Sequence, residues 1–87
     1  MTEPVDIAEF VCATLALACR KERGAVDLRT NFLELNVDSL TLVSVLAQVE
    51  AVYAVELTPN QLLPLIEARN VSELVGRLKV IVSAQKE

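Results

Sequence analysis

One hydroxyl in this chain stands where chemistry could be done to it. Asp38 suits a helix N-cap, because its carboxylate can accept a backbone N–H left unpaired in a first turn, and Ser39 follows it directly. That puts the Ser39 hydroxyl beside the positive end of a helix dipole, where phosphate binds readily. A serine hydroxyl is a poor nucleophile without an activating base. The chain has no histidine, which removes Ser–His and Cys–His pairs and histidine-ligated metals in one step. Ser39 is therefore read as a group that another enzyme modifies; no catalytic residue and no metal ligand is assigned. Cys12 and Cys19 share one face of a predicted helix, about 10.5 Å apart along its axis, beyond the ~7 Å reach of a disulfide. Both are expected to be reduced, small, core or half-buried residues.

The elements that must position Ser39 are helical. The chain has 87 residues, enough for one domain, expected to span 1–87. Its 53% apolar content with few aromatics implies a core of Leu, Val, Ile and Ala. Two glycines, three prolines and long Ala/Leu/Val stretches favour an all-α domain. Mean hydropathy is +0.43, yet Arg20-Lys21-Glu22-Arg23 closes the longest apolar run short of a membrane span. No basic leader precedes that run, so a cytoplasmic protein without membrane association is expected.

Helical spacing predicts a first helix from about Pro4 to Arg23, with Thr2 as cap and Glu3, Asp6 and Glu9 complementing its dipole. Its inward face would be Ile7, Phe10, Val11, Thr14, Leu17 and Ala18, and Gly24 would take the left-handed position past its end. Residues 25–37 read as a loop pinned by Val26, Leu28, Phe32, Leu33 and Leu35. A second helix from Ser39 to about Tyr53 carries two stripes. Leu42, Val45, Leu46, Val49 and Tyr53 face the core, while Leu40, Val43, Ala47 and Ala51 continue from Ser39. Thr58 and Pro59 open a short third helix, with a break at Pro64 into turns of about 59–63 and 64–68. Asn70-Val-Ser-Glu73 is a near capping box for a last helix over about 71–83. That helix turns Val71, Leu74, Val75, Leu78, Ile81 and Val82 inward and frays over Gln85-Lys86-Glu87.

The stretch Phe32-x-Glu34-Leu35-x-Val37-Asp38-Ser39-Leu40 resembles the attachment site of the acyl and peptidyl carrier proteins. Phe32 lies seven residues before Ser39, a spacing similar to carriers of modular polyketide and nonribosomal peptide synthases. Asn36 stands where that family usually has glycine, and asparagine is the residue that best tolerates the left-handed backbone after glycine. The resemblance implies a four-helix bundle of the acyl-carrier type, with a long loop between helices 1 and 2 and a short, Pro-interrupted helix 3. It implies that Ser39 carries 4′-phosphopantetheine taken from coenzyme A, flanked by Asp38 and Leu40. The arm would hold acyl or aminoacyl groups as thioesters.

Implied partners are a phosphopantetheinyl transferase, an acyl- or aminoacyl-loading enzyme, and ketosynthase or other condensing or transferring enzymes. They would dock on Leu40, Val43, Ala47 and Glu50. The favoured setting is polyketide or related secondary metabolism. A peptidyl carrier and an unmodified four-helix interaction module remain as alternatives.

Charge bears on the partners. Between Arg29 and Arg69 there is no Lys or Arg, while Glu34, Asp38, Glu50, Glu56 and Glu67 all fall there. That field disfavours nucleic acid and favours basic docking patches. Second-helix positions that are often acidic in fatty-acid carriers are Thr41, Ser44 and Ala51 here, so docking would lean on apolar contacts. A monomer is expected, and the Met1 start and short tails favour a standalone carrier.

Overall fold

The computed structural model describes residues 6–22 and 24–86. Five helices follow one another: α1 (Ile7–Ala18), α2 (Phe32–Leu35), α3 (Ser39–Tyr53), α4 (Pro59–Ile66) and α5 (Val71–Lys86). α1, α3, α4 and α5 are the four expected helices of an all-α bundle. α2 is a single turn inside the expected loop.

α1 is shorter than its apolar pattern suggested. Asp6 caps it, its carboxylate accepting the Ala8 N–H at 3.1 Å; Thr2, Glu3, Pro4 and Arg23 lie outside the described residues. The helix ends six residues before Gly24, and Gly24 does not take the left-handed position. Arg20 does, at φ 58°. Two backbone bonds close the turn around it, Lys21 N–H to the Ala16 carbonyl at 2.8 Å and Arg20 N–H to Leu17 at 3.2 Å. Together they satisfy the carbonyls that a helix end leaves unpaired. The inward face is Ile7, Val11, Thr14, Leu15 and Ala16. Leu17 is 81% exposed and Ala18 is exposed, against expectation.

α3 has the bounds and the core face the pattern predicts: Leu42, Val45, Leu46, Val49 and Tyr53 are all buried. They pack against α1 and α4, both of which also meet α5. The ring of Phe10 lies edge-on to Tyr53 with centroids 5.7 Å apart, a favoured aromatic geometry. On α5, Val71, Leu74, Val75, Leu78 and Val82 are buried and Ile81 packs at the margin.

The expected break at Pro64 does not occur; α4 runs through it. A proline six residues into a helix removes one N–H, the partner of the Asn60 carbonyl. Asn60 is exposed, so water takes that carbonyl at small cost. A capping box at Thr58 and Gln61 (Thr58 N–H to Gln61 at 2.9 Å) and full burial of Leu65 hold the turn. The Arg77 guanidinium donates to the Pro64 carbonyl. Pro64→Ala restores the missing donor and should stabilise the fold by about 1 kcal/mol. Thermal melting would show a rise of about 4–8 °C; an unchanged or lower midpoint would mean that chain stiffening by Pro64 outweighs the lost bond.

α5 extends past its expected end. Gln85 does not fray: its side chain accepts the Glu56 N–H at 2.9 Å and donates to the Glu56 carbonyl at 2.6 Å. Lys86 is helical, and Glu87 lies outside the described residues. Among the described residues no helix is long and apolar enough to cross a membrane.

Candidate functional site

The segment leading to Ser39 is built from side-chain bonds to its own backbone. Asn31 caps α2 by accepting the Leu33 N–H at 2.8 Å, while Glu34 reaches back toward the Asn31 N–H at 3.4 Å. This Asn-x-x-Glu capping signature was readable in the sequence, and it is the signal by which the extra helical turn could have been found. Asn36 then adopts φ 57°, ψ 39°, the left-handed geometry foreseen for it. Asp38 is extended, and its carboxylate accepts the Thr41 N–H at 2.8 Å, so it is the N-cap of α3.

The second anchor is tertiary. Phe32 N–H bonds the Arg69 carbonyl at 3.0 Å, Val71 N–H bonds Thr30 at 3.0 Å, and Ser72 N–H bonds Leu28 at 3.1 Å. Asn31 and Asn70 form an antiparallel bridge. Val26 and Phe32 are buried, and Leu35 and Val37 pack against the core. Leu28 and Leu33 do not pin the loop; they are 45% and 88% exposed. The backbone bonds do that work, which frees those leucines to face solvent.

Ser39 therefore sits, exposed, at the first position of α3. The Ser39 and Leu40 amides belong to the first turn and have no acceptor within the helix, a suitable setting for a phosphate ester on the Ser39 oxygen. Leu40 is 77% and Val43 39% exposed, and Ala47 and Ala51 are exposed too. Ser39 and this stripe thus share one open surface. Glu50 is half-buried, and its carboxylate accepts the Leu57 N–H at 2.8 Å, so it steadies the α3–α4 loop.

The Asp38 carboxyl is held below its ordinary value near 3.8, chiefly by the Thr41 hydrogen bonds. A depressed folded-state value stabilises the fold above the unfolded value, and that stabilisation is lost as pH falls through the folded one. Acid titration should therefore loosen the start of α3, and Asp38→Asn should flatten that part of the curve below about pH 4. Carbon-detected NMR of the Asp38 carboxyl tests this directly; a midpoint at or above the ordinary value would contradict it. The Cys12 and Cys19 thiols are free and half-buried, and burial is the main cause that pushes both upward. They are protonated at neutral pH and poorly nucleophilic. Among the described residues no cluster of His, Cys, Asp and Glu could hold a metal ion.

The family model for the phosphopantetheine attachment site matches residues 9–78. No curated protein and no solved structure matches the chain. The matched stretch runs from the first turn of α1 to the middle of α5 and takes in the whole Ser39 segment. An exposed hydroxyl at a helix start suits a covalently attached phosphate ester. The chain belongs to the phosphopantetheine attachment family: it is a carrier protein of the acyl and peptidyl type, which bears 4′-phosphopantetheine and serves as a substrate of other enzymes.

Proposed function

We propose that Ser39 is the residue that carries the arm, and that the cargo is an acyl intermediate of polyketide or related secondary metabolism. The observation that supports this most is the exposed Ser39 hydroxyl at the first position of α3, behind an Asp38 cap within the matched region. Asp38 holds the backbone there, and the Ser39 and Leu40 amides face the phosphate. The terminal thiol of the bound group supplies thioester chemistry; the chain itself supplies position and recognition.

Carrier domains of this family meet phosphopantetheinyl transferases and biosynthetic enzymes. We assign the docking surface to Leu40, Val43 and Ala47, whose exposed apolar stripe runs on from Ser39. Glu50 marks its far end, with the carboxylate shared with the loop. The loading enzyme and the ketosynthase or condensing enzyme would read the same surface. One carrier domain over 1–87, acting as a monomer in the cytoplasm, completes the reading.

Intact mass after incubation with coenzyme A, magnesium and a broad-specificity phosphopantetheinyl transferase tests it. One phosphopantetheinyl increment is expected. None, on a folded helical protein, would favour the unmodified interaction module. Loading the arm from aminoacyl donors in preference to acyl donors would favour a peptidyl carrier.

A further inference from the structure

A helix start leaves its first amides without partners inside the helix, and in α5 those amides look outward for them. Val71 and Ser72 donate to the Thr30 and Leu28 carbonyls, and Glu73 N–H takes the Asn70 side chain at 2.8 Å. The segment before Ser39 thus caps α5, and α5 in return holds that segment.

One side chain completes the exchange. The Glu73 carboxylate turns back to accept the Arg69 N–H at 3.0 Å. The Arg69 carbonyl accepts the Phe32 N–H at 3.0 Å, and the Phe32 carbonyl accepts the Val37 N–H at 3.2 Å. Phe32 is buried and Val37 packs against the core, so each step of this path is seated. Asp38 and Ser39 follow Val37 directly.

The neighbouring charges do not replace this path. Arg77 stands 4.0 Å from Glu73, but the two side chains are 44% and 42% exposed, so solvent screens the pair. Arg77 donates instead to the Pro64 carbonyl. Glu67, exposed two residues before Arg69, takes none of these amides.

We propose that Glu73 is a positioning residue for phosphopantetheinyl transfer: through Arg69 and Phe32 it fixes the chain entering α3, and so the place of the Ser39 hydroxyl. This rests on Ser39 being the attachment point. The Glu73–Arg69 bond is exposed, and exposed backbone bonds mark the parts of a fold that open locally at low cost. Removing its acceptor lowers the population of the shaped segment without unfolding the bundle. Leu40, Val43 and Ala47, assigned to docking, take no part in these bonds, so the loss falls on turnover and not on recognition.

The test is transferase kinetics with coenzyme A and magnesium, followed by intact mass, with the modified residue mapped by peptide mass. Glu73→Ala should lower kcat about three- to tenfold, the span of one lost hydrogen bond, with KM for the carrier unchanged within about twofold. Hydrogen exchange at the Phe32 and Val37 amides should quicken by a similar factor. Glu73→Gln keeps the acceptor oxygen and should restore both. Arg77→Gln should leave both at parent values. Val82→Ala trims a buried side chain nearer the other end of α5; it should lower the melting midpoint and leave kcat unchanged.

An unchanged kcat in Glu73→Ala, or a fall without faster exchange, would overturn the inference while leaving Ser39 as the attachment site. So would failure of Glu73→Gln to rescue, or an equal fall in Arg77→Gln or Val82→Ala. No arm on the parent protein, or an arm mapped to Thr41 or Ser44, would overturn both together.

Discussion

Ser39→Ala should fold like the parent and accept no phosphopantetheine, taking the mass increment from one arm to none. Ser39 is exposed at the first turn of α3, and alanine is the strongest helix former. The stability change should stay within about 0.5 kcal/mol. The cap on Thr41 comes from Asp38 and survives the change. Loss of the increment would then report the missing oxygen and not a damaged site. Thr41 and Ser44 lie on the same helix and offer the transferase other hydroxyls. An arm on either of them in the variant would sink the assignment of Ser39, although the chain would remain a carrier.

The largest stability effect is expected at Leu74. It is 0% exposed in the first half of α5, one turn beyond the residues whose backbone holds the Ser39 loop. Leu74→Ala should cost about 2–5 kcal/mol. A domain of this length has a total stability of only about 4–13 kcal/mol. Urea unfolding would show a large fall in midpoint, and a protein at the low end of that range would lose its fold. Leu63→Ala is the comparison. Leu63 is 59% exposed, and its loss should stay within about 0.5 kcal/mol. Similar costs at the two leucines would mean that burial does not order the energetics of this bundle.

Much of the fold was legible where one physical signal decided the matter. On α3, apolar residues at 42, 45, 46, 49 and 53 leave only one face to bury. Asp38 and Asn36 are read from residue chemistry alone, one as a cap and one as a tolerant left-handed residue. Legibility failed where the answer depended on a distant partner or on competing local terms. Leu15 and Leu17 are two residues apart on α1, and only the packing of α3 and α5 decides that Leu15 is buried.

Arg20 rather than Gly24 takes the left-handed position past α1, where two backbone bonds close the turn early. Pro64 stays inside α4 because the carbonyl it leaves unpaired belongs to an exposed residue. The grip of Gln85 on Glu56 spans 29 positions and has no local signature. α2 was legible in its capping residues, but four residues fall below the length at which periodicity speaks. Ser39 was readable as an exposed helix start. The cleft that Asn31, Phe32, Leu33 and Val37 form with Ala68 and Arg69 was not, since those residues lie far apart in the chain.

The backbone bonds that tie residues 28–32 to residues 69–72 also set an order of events while the protein is being made. When Ser39 is added to the growing chain, the acceptors and donors that shape its loop have not been synthesised. At about 5–20 residues per second, the missing partners arrive seconds later. A chain broken off before Arg69 lacks the Arg69 carbonyl and the Val71 and Ser72 amides that hold the loop. A chain that stops short of residue 72 therefore cannot hold the Ser39 loop in the shape it has in the bundle.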